Sequence, residues 1–249
     1  MRLGVVTLFP EMFTALSDWG ISSRAIKQGL MALDFFNPRE FTTGKHHAVD
    51  DKPFGGGPGM LMKTEPLIAA INAAKQSLLS DNEGVKVVYL SPQGKTIDHT
   101  SIVDLAERDS MVLVCGRYQG IDERIIEQEI DEEWSIGNFV LSGGELAAMV
   151  LIDAMIRFQP GALGDENSAK QDSFSNGLLH WPEYTRPQEF NENKVPHVLL
   201  SGDHQAIIKW RKKQSLIATL RKRPDLISEE KLNQEEKIVL KEYMDECRS

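Results

Sequence analysis

The stretch SIGNFVLSGGELAAMVLIDAMIRF, residues 135–158, decides how this chain folds. Its apolar run Asn138–Leu141 is typical of a short buried strand, and Gly144–Phe158 has the apolar periodicity of a helix. Only Ser142 and Gly143 separate the two. A strand that passes directly into a helix through glycines brings a ligand to the start of that helix. The G-x-G-x-x-G motif of dinucleotide-binding turns is absent, so we expect this junction to serve another ligand.

Three further runs are predicted to be buried strands, namely Leu3–Phe9, Val85–Leu90 and Met111–Cys115. All are short and apolar with little polar alternation, which is typical of parallel strands covered on both faces. The segments between them have helical periodicity and are long enough to form right-handed crossover connections. The predicted helices are Glu11–Gln28, Glu65–Leu79, Asp98–Glu107 and Gly144–Phe158. The sequence therefore predicts an α/β domain over residues 1–160.

The remainder of the chain has a different composition. Residues 161–177 are polar and rich in Gly, Ser and Asn, which predicts a flexible linker or lid. Residues 178–249 form a smaller, mostly helical domain with predicted helices at Ala206–Arg221 and Ser228–Glu246. Ser228 is the expected N-cap of the second helix.

Charge is unevenly distributed along the chain. The net charge of −9 argues against a nucleic-acid partner. However, residues 204–223 contain seven Lys or Arg residues and no Asp or Glu, and the acidic balance returns only after them. Because local charge decides binding, this basic segment predicts a phosphate-binding face, and a solvated helix face is the alternative.

No targeting, membrane or disulfide signal stands out. No apolar run approaches the roughly 20 residues of a membrane helix, and the N-terminal residues are interpreted as a first strand and not a signal peptide. We therefore expect a cytoplasmic protein. Of the two cysteines, Cys115 lies in an apolar strand and is expected to be a small buried hydrophobe, so neither a disulfide nor a zinc site is predicted.

Glycine-containing loops follow three of the predicted strands, at Ser91–Gly94, Gly116–Gly120 and Ser142–Gly144. Ligands of open α/β sheets bind beyond the carboxyl ends of strands, so these loops predict one shared site, although each could also be a structural turn. A fourth loop, Asp50–Met60, has four glycines between positions 55 and 59. It could wrap a flat ring or a phosphate, or form a tight structural crossing.

Taken together, eight motifs resemble the bacterial tRNA (guanine-37-N1)-methyltransferases of the SPOUT superfamily. They occur in family order over nearly the whole chain: LFPEMF at 8–13, VDDKPFGGGPGM at 49–60, YLSPQGK at 89–95, CGRYQGIDERI at 115–125, SIGNFVLSGGE at 135–145, QDSF at 171–174, HWPEYTRP at 180–187 and VLLSGDHQAIIKWRKKQSL at 198–216. The resemblance implies a mostly parallel α/β sheet with a deep trefoil knot plus a small C-terminal helical domain. It also implies that the knot loops hold S-adenosylmethionine in a bent shape.

The resemblance also implies roles for individual residues. Asp172 of QDSF would be the general base that removes the guanine N1 proton, and Arg157 would stabilise negative charge on guanine O6. The expected cofactor-binding residues are Tyr89, Leu90, Ser91, Gly116, Tyr118, Gly120, Ser135, Ile136, Gly137, Asn138, Phe139, Val140, Leu141, Gly143 and Gly144. The expected RNA contacts are Asp50, His46, Lys209, Arg211, Lys212 and Lys213.

The implied partners are tRNA and a second copy of the chain, with active sites between subunits and Asp172 supplied in trans. The sequence departs from the family pattern at four sites. Gln119 stands where Glu is common, Asn138-Phe139 where Asp-Tyr is common, Ala147 where Pro is common, and His180 where Asp is common. The family's magnesium dependence has been linked to acidic groups near the methionine carboxylate, so Gln119 puts that requirement in doubt here.

Two other functions remain open at the level of sequence. A SPOUT enzyme could methylate a ribose or another base, although the QDSF aspartate argues against ribose. Alternatively, the chain could be an RNA-binding module that no longer uses the cofactor, against which the intact glycines of all three loops argue.

Overall fold

The computed structural model describes residues 1–79, 84–165, 167–227 and 232–246. The chain divides into two compact units, Met1–Glu166 and Asn167–Ser249. Among the described residues, no helix is both long and apolar enough to cross a membrane.

The first unit is built on a five-stranded sheet with the order β2-β1-β6-β5-β7, in which every neighbouring pair is parallel. This confirms the predicted α/β class. The strands of this sheet are β1 Arg2–Val6, β2 Ala32–Phe36, β5 Lys86–Thr96, β6 Ser110–Cys115 and β7 Glu132–Ser135, and a separate antiparallel pair is formed by β3 Asp50–Asp51 and β4 Leu61–Met62.

Helices cover both faces of the sheet. They are α1 Thr14–Ser17, α2 Gly20–Lys27, α3 Thr64–Leu78, α4 His99–Ala106, α5 Glu123–Glu129 and α6 Glu145–Ile156, with 3-10 turns at Pro10–Phe13 and Pro38–Phe41. Successive strand residues alternate between two apolar cores. Val88 and Leu90 pack with α6 on one face, whereas Val87 and Tyr89 pack with α3 on the other.

The predicted helices α3, α4 and α6 are confirmed to within two residues at each end. The single helix predicted over Glu11–Gln28 is wrong, because the chain is extended at Trp19 and left-handed at Gly20, which has a φ of 71°. The sequence pattern did not predict β2 or α5.

The strand predicted at Asn138–Leu141 is also wrong. The strand in this region is β7, six residues earlier, and residues 138–141 form an exposed loop in which Val140 is 82% accessible. Because β7 is an edge strand, its acidic residues remain partly accessible, and Glu132 pairs with Arg108 at 2.9 Å. The charged residues of β7 therefore concealed the strand from the sequence pattern, whereas the apolar residues 138–141 lie at the surface and along a cavity.

The chain crosses itself at the carboxyl end of the sheet. Strand β5 contacts Trp134 of β7 twice, through Leu90 and again through Lys95, so that residues 91–94 bulge outward between the two contacts. At a second crossing, the Gly144 N–H donates to the Gly116 carbonyl at 2.9 Å. A Cβ on Gly144 would lie 2.8 Å from the Cys115 Cα, so only glycine permits this approach.

A buried polar network holds this second crossing together. Glu145, the first residue of α6, is fully buried. Its Oε1 accepts a hydrogen bond from the Thr7 hydroxyl at 2.9 Å, and its Oε2 lies 2.8 Å from Arg117 Nε. The Arg117 guanidinium also lies 4.5 Å from the Phe9 ring centroid and donates to the Ser142 carbonyl at 3.3 Å. Because a buried carboxylate is costly without a cationic partner, this ion pair joins α6 to the loop after β6.

The second unit contains α7 Asn167–Gln171, the hairpin β8 Glu189–Phe190 and β9 Asn193–Lys194, α8 His197–Leu200, α9 His204–Lys222, a 3-10 turn at Pro224–Leu226, and α10 Gln234–Glu246. Helix α9 begins two residues before the predicted start because the Asp203 carboxylate caps it, accepting from the Gln205 and Ala206 N–H groups. Helix α10 begins at Gln234, and Asn233 and Glu236 form a reciprocal capping box. The expected cap Ser228 lies outside the described residues, as does Cys247.

Replacing Glu145 with Gln should destabilise the first unit by about 3 kcal/mol, because the largely buried Arg117 would lose its counter-charge while the shape is kept. The measurement is the free energy of unfolding in denaturant at neutral pH. Asp34→Asn, which removes a partner of Arg2 from a surface pair, is the matched control and should cost less than about 1 kcal/mol. Equal losses in both variants would show that the buried pair has no special structural role.

Candidate functional site

A cavity of about 290 Å³ opens where the bulge at residues 91–94 of β5 meets the loops after β6 and β7. Every expected cofactor residue except Asn138 lines it. The lining also includes residues that were not among the expected cofactor contacts, namely Pro92, Gln93, Arg117, Gln119, Trp134, Ser142 and Ala147. All but Trp134 and Ala147 belong to the same glycine-containing segments. Those segments are therefore the sequence feature that could have identified them as lining residues. The three loops therefore form one site.

Unusual backbone conformations shape the walls of this cavity. Tyr118 has a φ of 59° and Gly120 a φ of 115°, so the loop after β6 turns sharply back on itself. The Ser135 hydroxyl donates to the Gly137 carbonyl at 3.0 Å and accepts from the Gly137 N–H at 3.2 Å, which closes the turn after β7. The cavity is thus bounded largely by main chain held in fixed turns.

The cavity lining carries little net charge. It contains no Asp or Glu among the described residues, and its one cation, Arg117, is paired with Glu145. Burial, reinforced by Glu133, raises the pKa of Tyr89 to about 12, so this phenol stays protonated and neutral at physiological pH. Burial likewise raises the pKa of the Cys115 thiol well above its usual range, as expected of a buried, unreactive cysteine.

This lining does not suit a magnesium ion. Mg²⁺ prefers carboxylate and water oxygens, whereas the lining offers amides, hydroxyls and carbonyls only. Across the part of the chain that is described, no group of three or more His, Cys, Asp or Glu residues could hold a metal. Gln119, at the position where the resemblance implies a carboxylate, is a neutral amide.

The glycine-rich loop borders the cavity. The Gln119 N–H donates to the Met60 carbonyl at 2.9 Å, and the Met62 N–H donates to the Gly120 carbonyl at 3.1 Å. The Tyr118 hydroxyl interacts with Asp50 and Arg39, and burial followed by Asp50 raises the pKa of Tyr118. Asp50 therefore contacts a residue of the cavity lining. His46 lies on an exposed turn and does not belong to the described lining.

Arg157 lies at the opposite end of α6 from the cavity. Ala147, near the start of this twelve-residue helix, lines the cavity, whereas Arg157 is the C-cap. A helix of that length spans about 18 Å. Within one subunit, Arg157 is therefore not part of the cavity wall.

The second unit holds Asp172 and the basic segment. Residues 172–178 form hydrogen-bonded turns in which the Asp172 carbonyl accepts from both the N–H and the hydroxyl of Ser175. On α9, Lys209 and Lys212 are exposed, whereas Arg211 is partly buried and lies 4.9 Å from the Trp181 ring centroid. Lys209, Lys212 and Lys213 line a groove together with Trp210. The basic segment thus presents lysines, while Arg211 also packs on an aromatic ring.

Comparison with known proteins identifies the family. The model of the family described as tRNA (Guanine-1)-methyltransferase TrmD matches residues 1–229. A protein named tRNA (guanine-N(1)-)-methyltransferase from Idiomarina loihiensis is 55% identical over 98% of this chain and 96% of its own length. A protein with the same name from Pseudoalteromonas atlantica is 56% identical over 98% of this chain and 91% of its own length. Another from Photobacterium profundum is 52% identical over 100% of this chain and 99% of its own length. This chain therefore belongs to the tRNA (guanine-1)-methyltransferase TrmD family, whose fold is of the SPOUT type.

Proposed function

We propose that this chain transfers a methyl group from S-adenosylmethionine to N1 of a guanine in tRNA, at position 37 next to the anticodon. The observation that carries the proposal is the convergence of the three loops on one cavity, lined by all but one of the expected cofactor residues. Membership of the TrmD family supports the reaction and the tRNA substrate. We place the enzyme in the cytoplasm, where its tRNA substrate is found.

The lining residues suit S-adenosylmethionine. The cavity volume is near the lower end of the range for small-molecule sites, roughly 300–1,000 Å³. Leu90, Ile136 and Leu141 offer apolar walls, and the surrounding turns offer main-chain N–H and C=O groups. The cofactor supplies a methyl group already activated by a positively charged sulfur, so the protein mainly needs to position the acceptor and remove its proton.

Three side chains perform the remaining chemistry in this proposal. The Asp172 carboxylate takes the proton from guanine N1, which is a poor nucleophile while protonated. The Arg157 guanidinium stabilises negative charge on the guanine carbonyl oxygen. Asp50, at the cavity rim, accepts a hydrogen bond from the guanine edge. No step uses a metal ion, because the residues described in the cavity lining include no carboxylate to bind one.

The active enzyme is proposed to be a homodimer with Asp172 supplied by the partner subunit. Leu146 and Val150 of α6 lie four residues apart on one helix face and are 44% and 55% accessible, and the neighbouring Val140 is exposed as well. An exposed apolar face beside a ligand site is typical of an interface. A second copy that covers this face would bring further groups to the cavity.

Binding of tRNA is assigned to the second unit. Lys209, Arg211, Lys212 and Lys213 would contact phosphates, which gives affinity that weakens with salt. The target guanine must leave its stack to reach the cavity, and residues 161–177 would close over it as a lid.

Replacing Asp172 with Asn should lower kcat by at least about 10²-fold, the usual contribution of a general base, while leaving cofactor affinity unchanged. Methyl incorporation into a tRNA transcript measures the first quantity, and calorimetry with S-adenosylmethionine measures the second. Asp104→Asn, at an exposed position of α4, is the control. Retained turnover in the Asp172 variant would remove this residue from the mechanism.

Magnesium should not be needed for cofactor binding. Calorimetry without RNA avoids the effect of the ion on tRNA folding, and we expect S-adenosylmethionine affinity to change by less than about twofold when magnesium is added. In Gln119→Glu the loop gains a carboxylate, so the added ion should then alter the affinity for S-adenosylmethionine. Gln28→Glu, at the exposed C-cap of α2, should behave like the wild type. Strong magnesium dependence in the wild type would refute this interpretation of the lining.

A further inference from the structure

A second cleft, with a volume of about 800 Å³, lies wholly within the second unit. We call it the EYTRP cleft, because residues 183–187, the second half of the motif HWPEYTRP, form one part of its lining. The opposite part of the lining comes largely from α8 and α9 and includes the apolar side chains of Leu199, Leu200 and Ile207. The cleft thus joins an apolar wall to the polar side chains of a motif that takes no part in the cavity described above.

Helix α9 presents Arg211 and its lysines to different grooves. Ile207 and Arg211 are four residues apart, therefore lie on the same face of the helix, and both line the EYTRP cleft. The lysines at the centre of α9 line the groove that contains Trp210, and Arg211 is not part of that lining. A contact of Arg211 with RNA is therefore separate from the contacts of the lysines.

The Arg211 guanidinium has no anionic partner within the described part of the chain. Its Nε is buried without a hydrogen-bond partner there, and the guanidinium lies 4.9 Å from the centroid of the Trp181 ring. Glu183, the carboxylate among the described lining residues, is engaged elsewhere, because its Oε1 accepts from Trp181 Nε1 at 2.7 Å and lies 3.1 Å from His180 Nε2. A partly buried cation without an acceptor is costly, so this position suits a bound anion.

Arg186 and Tyr184 share the lining of the EYTRP cleft with Arg211. The Arg186 side chain is exposed and forms no hydrogen bond or ion pair with the residues that the structure describes. The Tyr184 ring is 48% accessible, with its centroid 6.3 Å from that of Trp210. Cations that contact phosphates and exposed rings on which bases stack are the features by which proteins bind unpaired nucleotides.

We propose that the EYTRP cleft binds one unpaired nucleotide of the tRNA, with its base stacked on Tyr184 and its flanking phosphates on Arg186 and Arg211. The proposal rests on the proposed function, which makes tRNA the substrate. The lysines of α9 follow the phosphate backbone, whereas this cleft takes a nucleotide out of its stack. Because stacking tolerates any base, the cleft contributes affinity and fixes the orientation of the RNA, and it does not select a base.

The test measures the affinity of the full-length enzyme for a tRNA transcript over a series of potassium chloride concentrations. In Arg186→Gln and in Arg211→Gln, the slope of log affinity against log salt should become shallower by about 0.7–0.9, the value of one phosphate contact. Tyr184→Leu should bind about tenfold more weakly at every salt concentration with an unchanged slope, because stacking on a ring releases no counterions. Tyr184→Phe keeps the ring and should bind like the wild type. Arg2→Gln, at a surface arginine already paired with Asp34, is the matched control and should leave the slope unchanged.

Arg186→Gln is the most direct of these variants, because an exposed side chain without described partners can be replaced without loss of folding. Wild-type affinity in either Arg186→Gln or Tyr184→Leu would overturn the proposal. Sedimentation of the same variants is the second readout, and dissociation of a wild-type dimer would also overturn it, since the cleft would then hold a protein contact. Methyl incorporation tests the proposed function separately. Normal methylation of guanine 37 with normal tRNA binding by the cleft variants would refute the cleft alone, whereas a wild type that binds tRNA through the cleft without methylating guanine 37 would refute only the function.

Discussion

The ion pair between Arg117 and Glu145 is the contact on which the cavity depends. It lies where the first turn of α6 passes against the loop after β6, a crossing so close that position 144 has no room for a side chain. The same contact neutralises Arg117, a cation of the cavity wall. One buried pair thus both fixes the geometry of the loops and leaves a nearly uncharged pocket, in which main-chain groups supply most of the polar contacts.

The strands that could be predicted from sequence are those buried on both faces. Val85–Leu90 and Met111–Cys115 were recognisable because their residues alternate between two cores, so every position except Lys86 is apolar. Strand β7 was not recognisable, because an edge strand tolerates the charges of Glu132 and Glu133. The apolar run at 138–141 was misleading for the opposite reason, since its residues face a cavity and an exposed surface.

The candidate site could be predicted only in part. Family motifs identified the residues of the three loops, and the fold brings nearly all of them together. The Thr7–Glu145–Arg117 network was missed because its members are far apart in sequence and none has an unusual local pattern. The roles of Asp172 and Arg157 could not be predicted from local sequence for another reason. Their proposed roles depend on a second subunit and on bound RNA, so no pattern within one chain could place them at the cavity.

The central claim is that main-chain loops hold the methyl donor while a carboxylate from the partner subunit removes the guanine proton. A crystal structure of the enzyme with tRNA and S-adenosylhomocysteine tests it most directly. We expect the ligand in the cavity lined by Leu90, Ile136 and Leu141, with an Asp172 carboxylate oxygen within hydrogen-bonding distance of guanine N1. A ligand bound elsewhere, or a guanine N1 contacted by another residue with Asp172 turned to solvent, would contradict the account.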